Sequence, residues 1–154
     1  MAANGFVWRY NLSGGRPLIH TFYFKDTETL TKGDFVNIET GEIDLAVTSD
    51  AALAGTFEGP FDPKAATVGL PGKVAGVDST TLAKVIVNPD AVYGCFDENA
   101  RQPGATLDIT GTTGAQTVAA SVNTEVVVVE RKMQTTDETR VMIIVANHYL
   151  VKAL

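Results

Sequence analysis

A handful of side chains in this sequence could do covalent or metal chemistry, and their spacing decides how far that reading goes. His20 and His148 are the two histidines. Neither stands in an HxxxH spacing or beside paired cysteines, so the ligand pattern of a zinc site is absent around them, and a structural or surface role is expected. Cys95 is the single cysteine and lies in the apolar run Ala91-Val92-Tyr93-Gly94-Cys95-Phe96. A reactive thiolate needs an electropositive, accessible setting, so a buried inert thiol is expected here. Ser13, Ser49, Ser79 and Ser121 fall outside any GxSxG turn. Gly111-Thr112-Thr113-Gly114 has the glycines of a phosphate loop without its Lys-Ser/Thr ending, and it reads as a turn between strands. Asp97 and Glu98 are adjacent carboxylates that diverge from one another and suit a solvated loop. Asn11-Leu12-Ser13 matches the glycosylation sequon, which carries no weight without a secretory signal. No acid, base, nucleophile or metal ligand converges on another, so the sequence points away from an enzyme and from any cofactor or metal. Function is expected on the surfaces.

The elements that present those surfaces are strands. Lys32 to Phe57 sets the pattern, entering by a tight polar turn at Lys32-Gly33-Asp34 and running Phe35 to Glu39. It reverses at Thr40-Gly41 and returns from Glu42 to Val47. Val36 and Ile38 alternate with Asn37 and Glu39, and Ile43, Leu45 and Val47 alternate with Glu42 and Asp44. This is the period of a half-buried strand, and glycine takes the positive φ that a tight hairpin needs. The five apolar residues are expected in the core.

The same reading places strands at Ile19 to Phe24, Leu53 to Phe57, Thr81 to Val87, Ala91 to Phe96 and Ala105 to Thr110. Two more are expected at Glu125 to Glu130 and Arg140 to Val145. Pro63, Gly69, Pro71, Gly72 and Gly76 break Phe61 to Val77 into a loop with at most a short strand at Lys73 to Val77. Asn88-Pro89-Asp90 reads as a turn, because proline withholds a ladder donor. Val126 to Val129 are four consecutive valines, so both faces of that strand should be covered. About nine strands and no helix make an all-β chain, a single-domain antiparallel β-barrel or sandwich.

The chain is 154 residues long with a net charge of −6, enough for one sizeable core. That acidity argues against duplex nucleic acid as partner, since such binders present a basic face to phosphates. A lone cysteine leaves no disulfide framework, the first residues lack a secretion signal, and no apolar run approaches the roughly 18 residues that span a bilayer. A soluble protein made in a cytoplasm, with no membrane partner, is expected. Charge and aromatics are unevenly spread. Residues 1–25 hold Arg9, Arg16 and Lys25 and no carboxylate, together with half of the twelve aromatic residues. Within them, residues 1–18 are irregular, with Gly5, Gly14, Gly15 and Pro17. They are expected as an extended N-terminal arm ahead of a β domain over 19–154, and a first strand folded back onto its own body is the other reading.

Several stretches carry a family likeness. KGDFVNI leading into TGEIDLA and LAGTFEGP, followed by VNPDAVYGCFDE, PGATLDITGTTGAQTV and ETRVMIIVANHYL, resembles the head decoration, or cement, proteins of tailed bacteriophages. The likeness runs from about Leu30 to Tyr149. It implies a small, mainly β homotrimer on the outer surface of the virion, binding where major capsid protein hexamers meet. It also implies an N-terminal arm that adds to strands of the capsid subunits, and no catalytic residues. On that resemblance Phe6, Trp8, Arg9, Tyr10 and Arg16 become the capsid-binding anchors, being of the residue types that dominate such interfaces. The alternative is a carbohydrate- or receptor-binding β domain on a virion or cell surface, with Trp8 and Tyr10 stacking on sugar rings.

Overall fold

The turn at Thr40-Gly41 reverses the chain as the alternation around it requires, with Thr40 at φ 50° and Gly41 at φ 82°. Two successive positive φ values give the hairpin a twist that matches its strands. The computed structural model describes residues 5–25, 28–48, 52–60, 82–97, 99, 101–120, 122–132 and 138–152. Within them run β1 (Phe6–Asn11), β2 (Ile19–Phe24), β3 (Phe35–Glu39), β4 (Glu42–Leu45), β5 (Leu53–Pro60) and β6 (Leu82–Ile86). These are followed by β7 (Ala91–Phe96), β8 (Thr106–Thr110), β9 (Thr117–Ala120), β10 (Val126–Lys132) and β11 (Glu138–Ile143). A 3-10 turn at Val145–Asn147 and the four-residue helix α1 (Tyr149–Lys152) close the described chain. The expected strand at Lys73 to Val77, and Ser49, Ser79, Glu98 and Ser121, lie outside the described residues.

The molecule is all-β, in two joined parts. Strands β2-β4-β3-β5-β6 close into a barrel, and β1-β7-β11-β10-β8-β9 form a six-stranded sheet. Every neighbouring pair is antiparallel except β2 and β4. Closure removes the barrel's edges, and its interior fills with Phe24, Leu30, Val36, Ile43, Ala54, Phe57, Ala83, Val85 and Val87. Gly55 makes one contact of that closure possible. It has φ 147°, and a Cβ there would lie 1.9 Å from the Ile86 carbonyl oxygen.

A second core lies under the six-stranded sheet and takes residues from both parts. Phe35, Ala46, Leu53 and Ile86 come from the barrel side, and Phe6, Tyr93, Ile109, Val126, Val141 and Ile143 from the sheet. The Phe35 ring meets Phe6 edge-on at 4.6 Å and Tyr93 at 4.8 Å. β3 therefore buries both its faces, Val36 in the barrel and Phe35 in the shared core.

Four expectations are corrected. Phe6 to Asn11 is not a free arm in this chain, because it forms β1, pairs with β7 and carries Phe6 into the core at 1% exposure. Thr117–Ala120 adds a strand that was not expected. Val47 is exposed, since β4 ends at Leu45 and Ala46 turns inward instead. Of the valine run, Val126 and Val128 are buried, while Val127 and Val129 on the opposite face are only half-buried.

Candidate functional site

Cys95, His148 and Asp97 are taken up within the fold. Cys95 is buried, and burial, helped by the nearby charges of Asp97 and Glu138, pushes its thiol up to about 12. It has no thiolate to offer at neutral pH. His148 is buried at the end of the barrel, and His20 is exposed on β2. Asp97 accepts from Asn99 N–H at 3.2 Å, Arg101 Nε at 2.9 Å and Thr139 Oγ1 at 3.1 Å. Burial pushes its carboxyl up, but Arg101 and the Asn99 donors outweigh that and hold it below the usual range. No group of three or more His, Cys, Asp or Glu side chains among the described residues could hold a metal ion. No helix among them is long and apolar enough to cross a membrane.

The glycine loop turns out to be a structural partner. Asp34, fully buried in the polar turn before β3, accepts from Gly114 N–H at 2.8 Å, from Thr113 Oγ1 at 2.5 Å and from Thr31 N–H at 2.7 Å. Gln116 lies beside it, also buried. Its Oε1 accepts from Phe35 N–H at 2.6 Å and its Nε2 donates to the Ala46 carbonyl at 2.8 Å. Gln116 thus satisfies backbone groups of the barrel, while Asp34 accepts the donors of the glycine loop.

The five anchor residues expected on an arm do not share one environment. Phe6 is core. Trp8 is half-buried, with its Nε1–H donating to Asn11 Oδ1 at 3.0 Å. Arg9 lies on the outer face of the six-stranded sheet, where its Nε donates to Glu138 Oε1 at 2.6 Å. Gly94 underlies that pair, and a Cβ there would sit 1.7 Å from the same Glu138 oxygen. Tyr10 lies under the Arg140 guanidinium at 5.8 Å, and Arg140 Nη1 donates to Glu130 Oε1 at 2.6 Å. Arg16 is exposed on the connection from β1 to β2.

That connection forms a firm surface. Leu12 N–H donates to the Asp90 carbonyl at 3.0 Å and Ser13 N–H to Asp90 Oδ2 at 2.8 Å. Leu18 N–H donates to Asn88 Oδ1 at 2.5 Å, and Val87 N–H to the Leu18 carbonyl at 2.9 Å. The Ser13 donors hold the Asp90 carboxyl below its usual range. Anchored at both ends on the turn between β6 and β7, the loop leaves Leu12 at 56% and Leu18 at 47% exposure, and Ile19 at the start of β2 is 44% exposed.

A second surface feature is an open cleft of about 320 Å³ lined by Phe6, Val7 and Trp8 of β1, Lys32 and Gly33 of the turn before β3, and Glu58 of β5. Burial raises the Glu58 carboxyl above its usual range, against the pull of Lys32 and Lys84. Sequence reasoning singled out Trp8 here but not Lys32 or Glu58, which reach it from segments distant in the chain. It also missed the apolar loop, because isolated leucines between glycines and a proline have no periodicity to mark them. No protein-family model, curated protein or solved structure matches this chain.

Proposed function

We propose that this chain is a head decoration protein of a tailed bacteriophage, a homotrimer that binds the outer surface of the capsid and clamps neighbouring major capsid protein subunits. The observation that carries the reading is the exposure of Leu12 and Leu18 on the β1–β2 connection and of Ile19 at the start of β2, with that connection fixed to the β6–β7 turn. Exposed apolar side chains on an anchored connection that also carries an arginine are of the kind a protein partner desolvates. The all-β scaffold, the structural use of the titratable groups and the likeness of Leu30 to Tyr149 to decoration proteins support it. In this reading the contact is a docked loop rather than a donated arm, since β1 is committed to its own sheet. Three such loops on a trimer bind with avidity, and binding the assembled shell in preference to free subunits stabilises it by linkage.

The test is co-sedimentation with mature heads of the phage that encodes the chain. The double variant Leu12→Glu with Leu18→Glu should keep its far-UV spectrum and melting temperature, because both side chains are exposed, yet lose binding by roughly ten-fold or more. Undiminished binding would remove the loop from the interface, and sedimentation of the free protein as anything other than a trimer would remove the clamp geometry.

A further inference from the structure

We propose that the cleft beside β1 is a saccharide-binding site, with Trp8 as its apolar wall and Glu58 and Lys32 as its polar walls. Its occupant is independent of the capsid contact, although Arg16 of that loop holds Asn11 and, through it, Trp8. A sugar ring offers a C–H face to an aromatic surface and a rim of hydroxyls that both donate and accept. The cleft offers the complement. Val7 and Trp8 supply apolar surface, the Glu58 carboxylate accepts and the Lys32 ammonium donates. Charge-assisted hydrogen bonds of this kind are the strong ones, and they fix orientation in pockets that are otherwise apolar.

Two features make the site ready-formed. The Trp8 indole is held through Nε1–H to Asn11 Oδ1, and Asn11 is itself buried and donates from Nδ2 to the Arg16 carbonyl at 3.1 Å. The floor is fixed where Phe6 N–H donates to the Gly33 carbonyl at 2.8 Å. A wall that is already ordered loses little entropy on binding.

The same geometry disfavours other occupants. β1 is an edge strand, so an extended peptide could add to it. However, its register shifts between Trp8 and Tyr10, and the Phe6 amide is already taken by Gly33, which leaves too short a ladder to hold a strand. A phosphate would meet one ammonium with a carboxylate lining the same cleft. A metal ion would find one carboxylate. A neutral hydroxylated ring uses both charges.

Trp8 is the only tryptophan in the chain, so its fluorescence reports directly on the cleft. The folded protein is titrated with glucose-, galactose- and N-acetylglucosamine-terminated oligosaccharides. At least one should give a saturable change in Trp8 emission. Glu58→Gln and Lys32→Met should each weaken it by roughly ten-fold, since each removes a charge-assisted hydrogen bond. Trp8→Phe should abolish binding of the same sugar by calorimetry, with its fold checked by circular dichroism. The inference is overturned if no sugar in the panel saturates the signal, if the Glu58 and Lys32 variants bind as the parent does, or if extended peptides saturate it instead. Capsid co-sedimentation of Glu58→Gln should be unchanged, so a failed sugar titration and a failed decoration reading are separately visible.

Discussion

His148 shows how one buried side chain sets a pH limit on the whole fold. Fully buried between the 3-10 turn and α1, it lies tilted at 36° against Tyr149 with ring centroids 5.1 Å apart, and its backbone bridges to Leu53. Its Nδ1 accepts Leu150 N–H at 3.2 Å, which puts the proton of the neutral ring on Nε2. Burial lowers its pKa below 6.5, and the carbonyls of Ala54 and Val87 oppose this only in part. The sign follows by linkage. As pH falls through the ordinary imidazole range, the unfolded chain takes up a proton that the folded chain refuses, so stability declines. The loss runs from about pH 6.5 down to the lowered folded value and is separate from the acid range in which Asp97 and Asp90 protonate. Urea midpoints measured from pH 8 to pH 5 should be level above 7 and fall below it. In His148→Gln that fall should vanish whatever the variant's overall stability. If it persists, another group is responsible.

The polar turn before β3 and the glycine loop before β9 are separate features along the chain and one unit in the fold. Asp34 gathers three donors, two of them from residues 113 and 114. Asp34→Ala would strand those donors, and the expected loss is about 2–4 kcal/mol by urea denaturation, because donors to a charged acceptor are costly to leave unmet. Asp34→Asn keeps an acceptor and should lose less, while amide exchange at Gly114 quickens in both. A loss under about 0.5 kcal/mol in Asp34→Ala would mean that water replaces the carboxylate at no cost. Both segments were legible as turns, since glycine and polar residues mark them, but their union was not, because nothing local encodes a partner about eighty residues away. The same division runs through the strands. Ile19–Phe24, Phe35–Glu39 and Ala91–Phe96 were readable to the residue from alternation and β-branched or aromatic content. Thr117–Ala120 was not, because its alanines have little strand preference and pairing with β8 makes it a strand. β1 was hidden by its outward Val7 and by the register shift after Trp8, which together erase the alternation. The cleft failed for the same reason as the Asp34 junction, its walls coming from three elements.

At the scale of the molecule, what has to be explained is why a closed barrel and a six-stranded sheet, each with its own interior, should behave as one body. Phe35 answers it. It is a barrel residue by backbone, paired in β3, yet its side chain sits with Phe6 and Tyr93 under the sheet, and Gln116 from the sheet side binds its N–H. Neither part can lose this ring without opening the other. Phe35→Ala should therefore cost about 3–5 kcal/mol, the range for deleting a buried aromatic ring. It should do so without splitting the transition. Trp8 emission reports on β1, and the far-UV spectrum reports on all strands, so their urea curves should coincide in the parent and shift together in the variant. Two resolved transitions in the parent would show barrel and sheet to be independent domains. Coincident curves in the parent that separate in Phe35→Ala would show that this ring alone couples two parts otherwise able to stand alone, with Gln116 and the rest of the shared core contributing nothing to the coupling.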